Sequence, residues 1–406
     1  MEISFDDTKV AFAYKTTKEL KKARILFATM GVSWLVKLGT QLTPKILKLG
    51  LPIKGLIRST IFSQFVGGES LEATKEVATI LDKYQVQVIL DYGVEGKQGE
   101  KNFDNSKDEF IKVIQYAAHE PNIPFMSIKL TAFARFELLQ KMHLQLKSGV
   151  DTNLHLTEQM FTIEERKEWA NVECRLDEIC SMAKKCKVSV LIDAEESWIQ
   201  NPVDVLCLKM MEKYNDENAV VYNTIQLYRQ DRLLFLKDIY KLAMEKKFSL
   251  GIKLVRGAYM EKERKRSTLM SYPSPIQPDK ESTDRDFNEA LEFCVENLDR
   301  LWVIVASHNE YSNLYATRLL AAKKYSFSHP HIHFSQLFGM SDNITFNLAY
   351  AGCGVSKYLP FGPLSDVIPY LMRRAQENSS VSGQTGRELR LIKRELIRRK
   401  RMVDND

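Results

Sequence analysis

Eight short runs of β-branched and apolar residues recur along this chain, and charged, helix-forming segments separate them. The runs are Val86–Leu90, Met126–Leu130, Val188–Ile192, Val220–Gln226, Leu250–Val255, Val303–Ala306, Ile332–Leu337 and Val355–Leu359. Strands of this buried type, each followed by a helix, predict an α/β fold, and eight consecutive units are what a distorted (β/α)8 TIM-type barrel requires. A doubly wound sheet is the competing architecture, but the Gly-x-Gly-x-x-Gly that usually follows its early strand is missing from this sequence.

The segments outside these runs predict three regions. We expect residues 1–80 to form an N-terminal helical arm, residues 81–378 the barrel, and residues 379–406 a linker with a basic C-terminal helix. Arg387–Arg401 carries eight Lys or Arg against two Glu, with an apolar stripe at Leu389, Ile392, Leu396 and Ile397. Such a helix could lie on an anionic membrane surface or pack as a solvated helix on the domain.

Composition narrows the class of protein. The charge difference of 58 − 52 = +6 is modest for 406 residues, so nucleic acid is not an expected partner. The longest uncharged apolar run near the N-terminus, residues 25–36, is shorter than the roughly 20 residues of a spanning helix. Acidic residues at the N-terminus argue against a signal or transit peptide. Six cysteines without a Cys-x-x-Cys pair fit a reducing compartment.

Polar residues cluster where the predicted strands end, which is where barrel enzymes carry their active sites. They are Asp91, Glu95, Lys129, Asp193, Glu195, Glu196, Gln226, Lys253–Arg256, Ser307–Asn309 and Tyr358. The last barrel helix adds Tyr370, Arg373, Arg374 and Glu377 at helical spacing, on one face. Adjacent guanidiniums suit a carboxylate or a phosphate, although a surface network in which Arg373 pairs with Glu377 is the alternative.

Several motifs together resemble one family, the FAD-dependent proline dehydrogenases, over residues 65–378. The motifs, in chain order, are FVGGE, SIKLTAF, LIDAEESW, YNTIQLY, KLVRGAYM, ASHNE, QLFGMSD, KYLPFG and VIPYLMRRAQENSS. Their wording is closer to the monofunctional, eukaryotic-type branch than to the bifunctional bacterial enzymes. The resemblance implies oxidation of L-proline to Δ1-pyrroline-5-carboxylate, with hydride transfer to N5 of non-covalent FAD and electrons passed to a membrane quinone.

The resemblance also implies substrate contacts. Lys129, Arg373 and Arg374 would hold the proline carboxylate, and Asp193 would orient Lys129 and the substrate amine. The residues that would wall the ring are Tyr259, Leu337, Tyr358 and Tyr370. Glu95 would pair with Arg373 and close over the substrate, a lid mechanism. A tyrosine at position 358 favours proline, because a hydroxyproline-preferring branch has a smaller residue there.

For the flavin, the positions that match the family's contacts are Ala194, Gln226, Lys253, Arg256, Gly257, Ala258, Ser307, His308 and Glu377. Lys253 stands where bacterial members often carry arginine. Lysine keeps the positive charge near the flavin but lacks the planar guanidinium of arginine and its parallel donors. Its effect on the flavin's redox potential is therefore expected to differ from that of arginine.

Other interpretations remain open at this point. Hydroxyproline dehydrogenase is the closest alternative. More distant ones are a Schiff-base aldolase-type barrel with Lys129 or Lys253 as nucleophile, and a non-catalytic barrel that docks to membranes. His329, His331 and His333 lack a third convergent ligand, so no metal is expected. The expected location is peripheral to a membrane, on the cytoplasmic face in a bacterium or the matrix face in a mitochondrion. The acidic N-terminus favours the bacterial case, and a homo-oligomer is possible.

Overall fold

The computed structural model describes residues 3–32, 34, 36–37, 53–93, 98–146, 150, 160–380 and 384–404. Within them, β1–β8 form a closed barrel in chain order. The strand pairs β1–β8, β2–β3, β3–β4, β4–β5, β5–β6 and β6–β7 are parallel. The strands are β1 (Gln87–Tyr92), β2 (Phe125–Ile128), β3 (Ser189–Ile192), β4 (Val221–Gln226), β5 (Leu250–Val255), β6 (Leu301–Ala306), β7 (Ile332–Leu337) and β8 (Val355–Phe361). The predicted TIM-type barrel is confirmed, and the doubly wound alternative is excluded.

Helices separate the strands. Those before β2 are α1 (Thr8–Ala11), α2 (Thr17–Met30), α3 (Lys54–Ile57), α4 (Ser63–Phe65), α5 (Leu71–Asp82) and α6 (Glu100–Ala117). Those up to β6 are α7 (Phe136–Gln145), α8 (Ile163–Cys186), α9 (Ser197–Tyr214), α10 (Arg232–Lys246), α11 (Met260–Met270) and α12 (Lys280–Glu296). The last are α13 (Glu310–Ala322), α14 (Asp342–Tyr350), α15 (Leu364–Ser380) and α16 (Gln384–Val403). At the predicted linker, α15 extends to Ser380 and α16 begins at Gln384, and the structure does not describe residues 381–383 between them.

The chain divides into two compact units, residues 94–335 and residues 1–93 with 336–406. In the first unit, all six residues of β4 are buried. A strand covered on both faces must be apolar or carry polar side chains that are fully hydrogen-bonded. Asn223 is an example, because its amide donates to the carboxylate of Asp204 at 3.0 Å.

In the second unit, α16 packs on the core that α2 also joins. Leu391 and Ile392 are buried, and so is Glu395, which pairs with Arg398 and Arg399. Ile397 from the predicted apolar stripe is 55% exposed. The packed helix is therefore the form observed, and its buried face includes a carboxylate that the sequence did not lead us to expect there. Among the described helices, none is long and apolar enough to cross a bilayer.

Candidate active site

A buried ion pair lies at the centre of the candidate site in the unit formed by residues 94–335. Asp193 directly follows β3, and Lys253 is the fourth residue of β5. The ammonium of Lys253 hydrogen-bonds to Oδ1 of Asp193, with little of either side chain exposed. Burial raises the pKa of Asp193, but the charges of Lys253 and Lys129 outweigh burial and leave that pKa lowered. Asp193 is therefore a carboxylate between two cations.

The sequence predicted that Lys129 lies inside a strand that reaches Leu130. In the structure, Lys129 lies just beyond the end of β2. β2 ends at Ile128, and Leu130–Ala132 form a 3₁₀ turn. Lys129 is half-buried at the start of that turn, at the C-terminal end of its strand. This is the position at which a barrel presents functional side chains.

Glu195 joins the turn after β2 to the loop after β3, and its role in the site was not predicted. Its Oε2 accepts a hydrogen bond from the Thr131 hydroxyl at 2.5 Å, and its Oε1 accepts one from the Thr131 backbone N–H at 3.2 Å. Burial raises the pKa of Glu195 to about 7. Sequence had placed Glu195 at a strand end, but its partner lies 64 residues away.

Gln226, the last residue of β4, is held by neighbouring protein groups. Its Nε2 donates to the Glu195 carbonyl at 2.7 Å and to the Tyr228 hydroxyl at 3.0 Å. Its Oε1 accepts from Arg229 at 3.3 Å, and Arg229 in turn pairs with Asp231. The amide is thus oriented before any ligand arrives, which suits a residue expected to contact a flavin edge.

Arg256, directly after β5, is the centre of a cluster of hydrogen-bond donors. It donates to the hydroxyls of Ser307 at 2.8 Å and Ser312 at 2.6 Å, and its Nε donates to Asp284 at 3.0 Å. Burial lowers the pKa of Arg256 to about 10, and Asp284 opposes that shift, so the side chain stays cationic at neutral pH. Its guanidinium lies 3.6 Å from the centre of the Phe287 ring.

The remaining predicted residues of this unit follow the same strands. Ala194 comes after Asp193, and His308 comes after Ser307 at the end of β6. Gly257 and Ala258 connect β5 to Tyr259, which caps the start of α11. A Cβ at Gly257 would lie 2.5 Å from the sulfur of Met260, so a side chain there would force Met260 to move. Four supporting residues were not predicted from the sequence. Asp284 and Ser312 hydrogen-bond to Arg256, and Tyr228 and Arg229 hydrogen-bond to Gln226.

The other unit holds a second group of predicted residues. Leu337 ends β7 and is half-buried, and the carbonyl of half-buried Tyr358 in β8 accepts the Phe338 N–H at 2.9 Å. In α15, Tyr370 is buried, and the Arg374 guanidinium lies 5.4 Å from the centre of its ring. Arg373 is half-buried on the same helix. The predicted shared face of Tyr370 and Arg374 is thus confirmed.

Two predicted residues lie outside what the structure describes. Glu95 falls in residues 94–97, which are not described, and the side chain of Glu377 in α15 is not described either. The gate between Glu95 and Arg373, the flavin contact of Glu377 and the alternative pair of Arg373 with Glu377 therefore stay predictions.

The histidine-rich stretch at the start of β7 packs against aromatic rings. The His331 ring lies 3.7 Å from that of Trp302, and the His333 ring lies 5.0 Å from that of Phe125. Burial lowers the pKa of His333 to about 3. Among the described residues, no three His, Cys, Asp or Glu side chains are grouped to hold a metal ion.

Comparison with known proteins places these observations in a family. A family model described as proline dehydrogenase matches residues 74–387. The chain is 31% identical to mitochondrial proline dehydrogenase 1 of Dictyostelium discoideum, covering 97% of this chain and 74% of that protein. It is also 31% identical to hydroxyproline dehydrogenase of Xenopus laevis, with 98% and 90% covered. Proline utilization A of Bdellovibrio bacteriovorus shares the fold, with a TM-score of 0.70 at 18% identity. That match covers 92% of this chain and 38% of the larger one.

Proposed function

The chain belongs to the proline dehydrogenase family, and from that premise we propose that this oxidoreductase converts L-proline to Δ1-pyrroline-5-carboxylate. FAD would accept the hydride, and a membrane quinone would receive the electrons. Family membership sets aside the aldolase-type and non-catalytic alternatives. The observation that carries the proposal is the pairing of Asp193 with Lys253 beside the charge of Lys129, at strand ends of a barrel.

This charge arrangement suits a small zwitterion. Two lysines around one carboxylate leave a net positive charge, which favours binding of a carboxylate substrate. As the resemblance implies, Lys129 would contact the proline carboxylate together with Arg373 and Arg374, and Asp193 would face the substrate amine. Asp193 is ionised, so it can accept a hydrogen bond from an ammonium or a neutral amine. The ammonium must lose a proton before hydride leaves its neighbouring carbon.

The donor set also fits FAD. Arg256, Ser307 and Ser312 form a hydrogen-bonded group whose cation suits pyrophosphate oxygens. Gln226 has an amide fixed by its neighbours, and Lys253 supplies a positive charge in the buried part of the site. When bound, FAD would supply the electron acceptor that no amino-acid side chain can provide. Lys253 and Gln226 would orient the isoalloxazine, and Arg256 and His308 would bind the ribityl and phosphate end.

The visible spectrum of the purified protein tests this function. We expect the absorption of a bound flavin, bleached by L-proline without oxygen and less readily by hydroxyproline. A flavin that proline leaves oxidised would contradict the proposed substrate. A colourless protein that cannot be reconstituted with FAD would contradict the proposed cofactor.

Hydroxyproline dehydrogenase is the second candidate, because a relative with that name covers nearly the whole chain. We expect Tyr358→Ser to raise kcat/KM for hydroxyproline relative to proline by roughly tenfold, since a smaller side chain makes room for the extra hydroxyl. Steady-state kinetics with both substrates measure the ratio. Tyr350→Ser, the same substitution at an exposed tyrosine of α14, is the control. An unchanged ratio in the serine variant would remove Tyr358 as the selectivity residue.

Membrane association would follow from the charge distribution of α16. Its two acids, Glu388 and Glu395, are buried, whereas Arg390 and Lys393 are exposed beside exposed Ile397. A helix with cations outward and acids inward attracts anionic headgroups, at about 1 kcal/mol per charge. A protein held there could reach a quinone in the bilayer. The face involved would be the cytoplasmic one in a bacterium, or the matrix side of the inner membrane in a mitochondrion.

Vesicle sedimentation measures this association. We expect the protein to bind vesicles containing phosphatidylglycerol, and Arg390→Glu with Lys393→Glu to weaken binding by roughly tenfold or more. Lys185→Glu with Lys323→Glu changes the same number of exposed cations elsewhere and should leave binding nearly unchanged. Equal loss in both double variants would mean that net charge, not α16, drives the interaction.

A further inference from the structure

One carboxyl group ties together the two segments that carry Lys129 and Asp193. Glu195 comes two residues after Asp193, and Thr131 comes two residues after Lys129. Both oxygens of the Glu195 side chain accept hydrogen bonds from Thr131, one from its hydroxyl at 2.5 Å and one from its backbone N–H at 3.2 Å. A movement of either loop would therefore break contacts with the other.

Glu195 is itself held from behind, so it can act as a fixed point. Its backbone N–H donates to Gln200 at 2.9 Å, and its carbonyl accepts from Gln226 at 2.7 Å. Gln200 donates in turn to Asp204 in the same helix at 2.9 Å. With 4% of its surface exposed, Glu195 has little freedom to change its position.

The charge of this group depends on pH near neutrality. Burial raises the pKa of Glu195 to about 7, the Thr131 hydrogen bonds and the charge of Lys129 oppose the shift, and Glu196 adds to it. The Thr131 hydroxyl and backbone N–H that donate to its carboxyl group are both neutral, and among the described residues Glu195 forms no ion pair. Two further charged groups contact the amides that hold Glu195: Asp204 accepts a hydrogen bond from Gln200, and Arg229 donates one to Gln226.

We propose that Glu195 is a positioning residue for Lys129, and that its ionised form weakens binding of a carboxylate at Lys129. The inference rests on the proposed function, in which Lys129 contacts the substrate carboxylate. The Thr131 contacts fix the turn that carries Lys129. A negative charge on Glu195 lowers the positive potential that this lysine offers to an anion, so a proton on Glu195 strengthens binding.

The test uses tetrahydrofuran-2-carboxylate, in which oxygen replaces the ring nitrogen of proline. This probe has no ammonium to titrate, so its charge is constant between pH 6 and 8.5. We measure its dissociation constant by calorimetry on the flavin-loaded protein across that pH range. In the unsubstituted protein the constant should rise with pH by roughly three- to tenfold, as expected when one nearby negative charge forms and solvent screens most of its effect.

Glu195→Gln separates charge from geometry. The amide can still accept from the Thr131 N–H and can donate to the Thr131 hydroxyl oxygen, but it does not ionise. We expect tight binding that no longer varies with pH in this range. Glu196→Gln, which removes a neighbouring carboxylate paired with Lys262, is the matched control. It should keep the rise with pH, with the midpoint moved to lower pH because Glu196 contributes to the raised pKa of Glu195.

Thr131→Val tests the positioning part. It removes the hydroxyl but leaves the backbone N–H, so Glu195 still ionises and the pH slope should remain. The dissociation constant should rise roughly three- to tenfold at every pH, as expected for the loss of one hydrogen bond of ordinary net strength. Equal pH profiles for the unsubstituted protein and Glu195→Gln would overturn the charge effect, and an unchanged constant in Thr131→Val would overturn the positioning. If proline fails to reduce the bound flavin but the probe's dissociation constants vary with pH as expected, the proposed substrate is wrong. The role of Glu195 in carboxylate binding is then still supported.

Discussion

Replacing Asp193 by Asn should lower kcat/KM for proline by roughly 100- to 1000-fold. The substitution leaves Lys253 buried with no carboxylate beside it and next to the charge of Lys129. Removing one partner of a buried ion pair costs about 3–5 kcal/mol, because the remaining charge is uncompensated. Three measurements show whether this cost lowers turnover, flavin binding or stability. They are steady-state kinetics with a soluble dye acceptor, the flavin content by absorbance, and the melting temperature.

Two further variants make the Asp193 result interpretable. Asp177→Asn removes the same residue type from an exposed pair with Lys213, and it should change kcat/KM less than about twofold. Adding Lys253→Met to Asp193→Asn removes the uncompensated ammonium of Lys253. The double variant should therefore have a higher melting temperature than the single variant, but no more activity. A single Asp193→Asn variant with kcat/KM within tenfold of the original would mean that the pair has no role in turnover.

The barrel was predictable because its strands are continuous apolar runs with sharp polar ends. β5 and β7 begin and end at the predicted residues. β1 was predicted one residue early at its start and two short at its end, because Asp91 is a poor strand former. The register continues regardless, with Asp91 opposite Pro360 and Tyr92 opposite Phe361. Pairing with the neighbouring strand β8 therefore outweighs the low strand propensity of Asp91.

The supporting contacts of the site were not predictable, because they join residues distant in sequence. Arg256 and Asp284 are 28 residues apart, and Thr131 and Glu195 are 64 apart. No local pattern distinguishes such a buried acid from a solvated one. The same holds for Glu388, which accepts the Ser341 backbone N–H at 2.8 Å although it belongs to a helix with a strongly basic sequence. Only the packing of α16 decides which of its charges point inward.

Arg373→Met and Arg374→Met should each raise KM for proline by roughly 10- to 150-fold, the range expected for hydrogen bonds to a charged group. Stacking of Arg374 on the buried Tyr370 ring restricts its guanidinium, so little ordering is needed on binding. Lysine at either position keeps the charge but loses the two parallel donors, and it should recover only part of the loss. Arg390→Met, an exposed arginine of α16, is the control and should leave KM nearly unchanged.

Pyrrolidine distinguishes carboxylate recognition from general damage to the site, because it is the proline ring without its carboxylate. A guanidinium that acts only on the carboxylate has nothing to bind in pyrrolidine, so the methionine variants should oxidise it as fast as the unsubstituted protein does. Equal losses on both substrates would assign the two arginines to the structure of α15 instead. A loss on proline alone would assign them to the carboxylate, and lysine variants with full activity would show that charge suffices without the bidentate geometry.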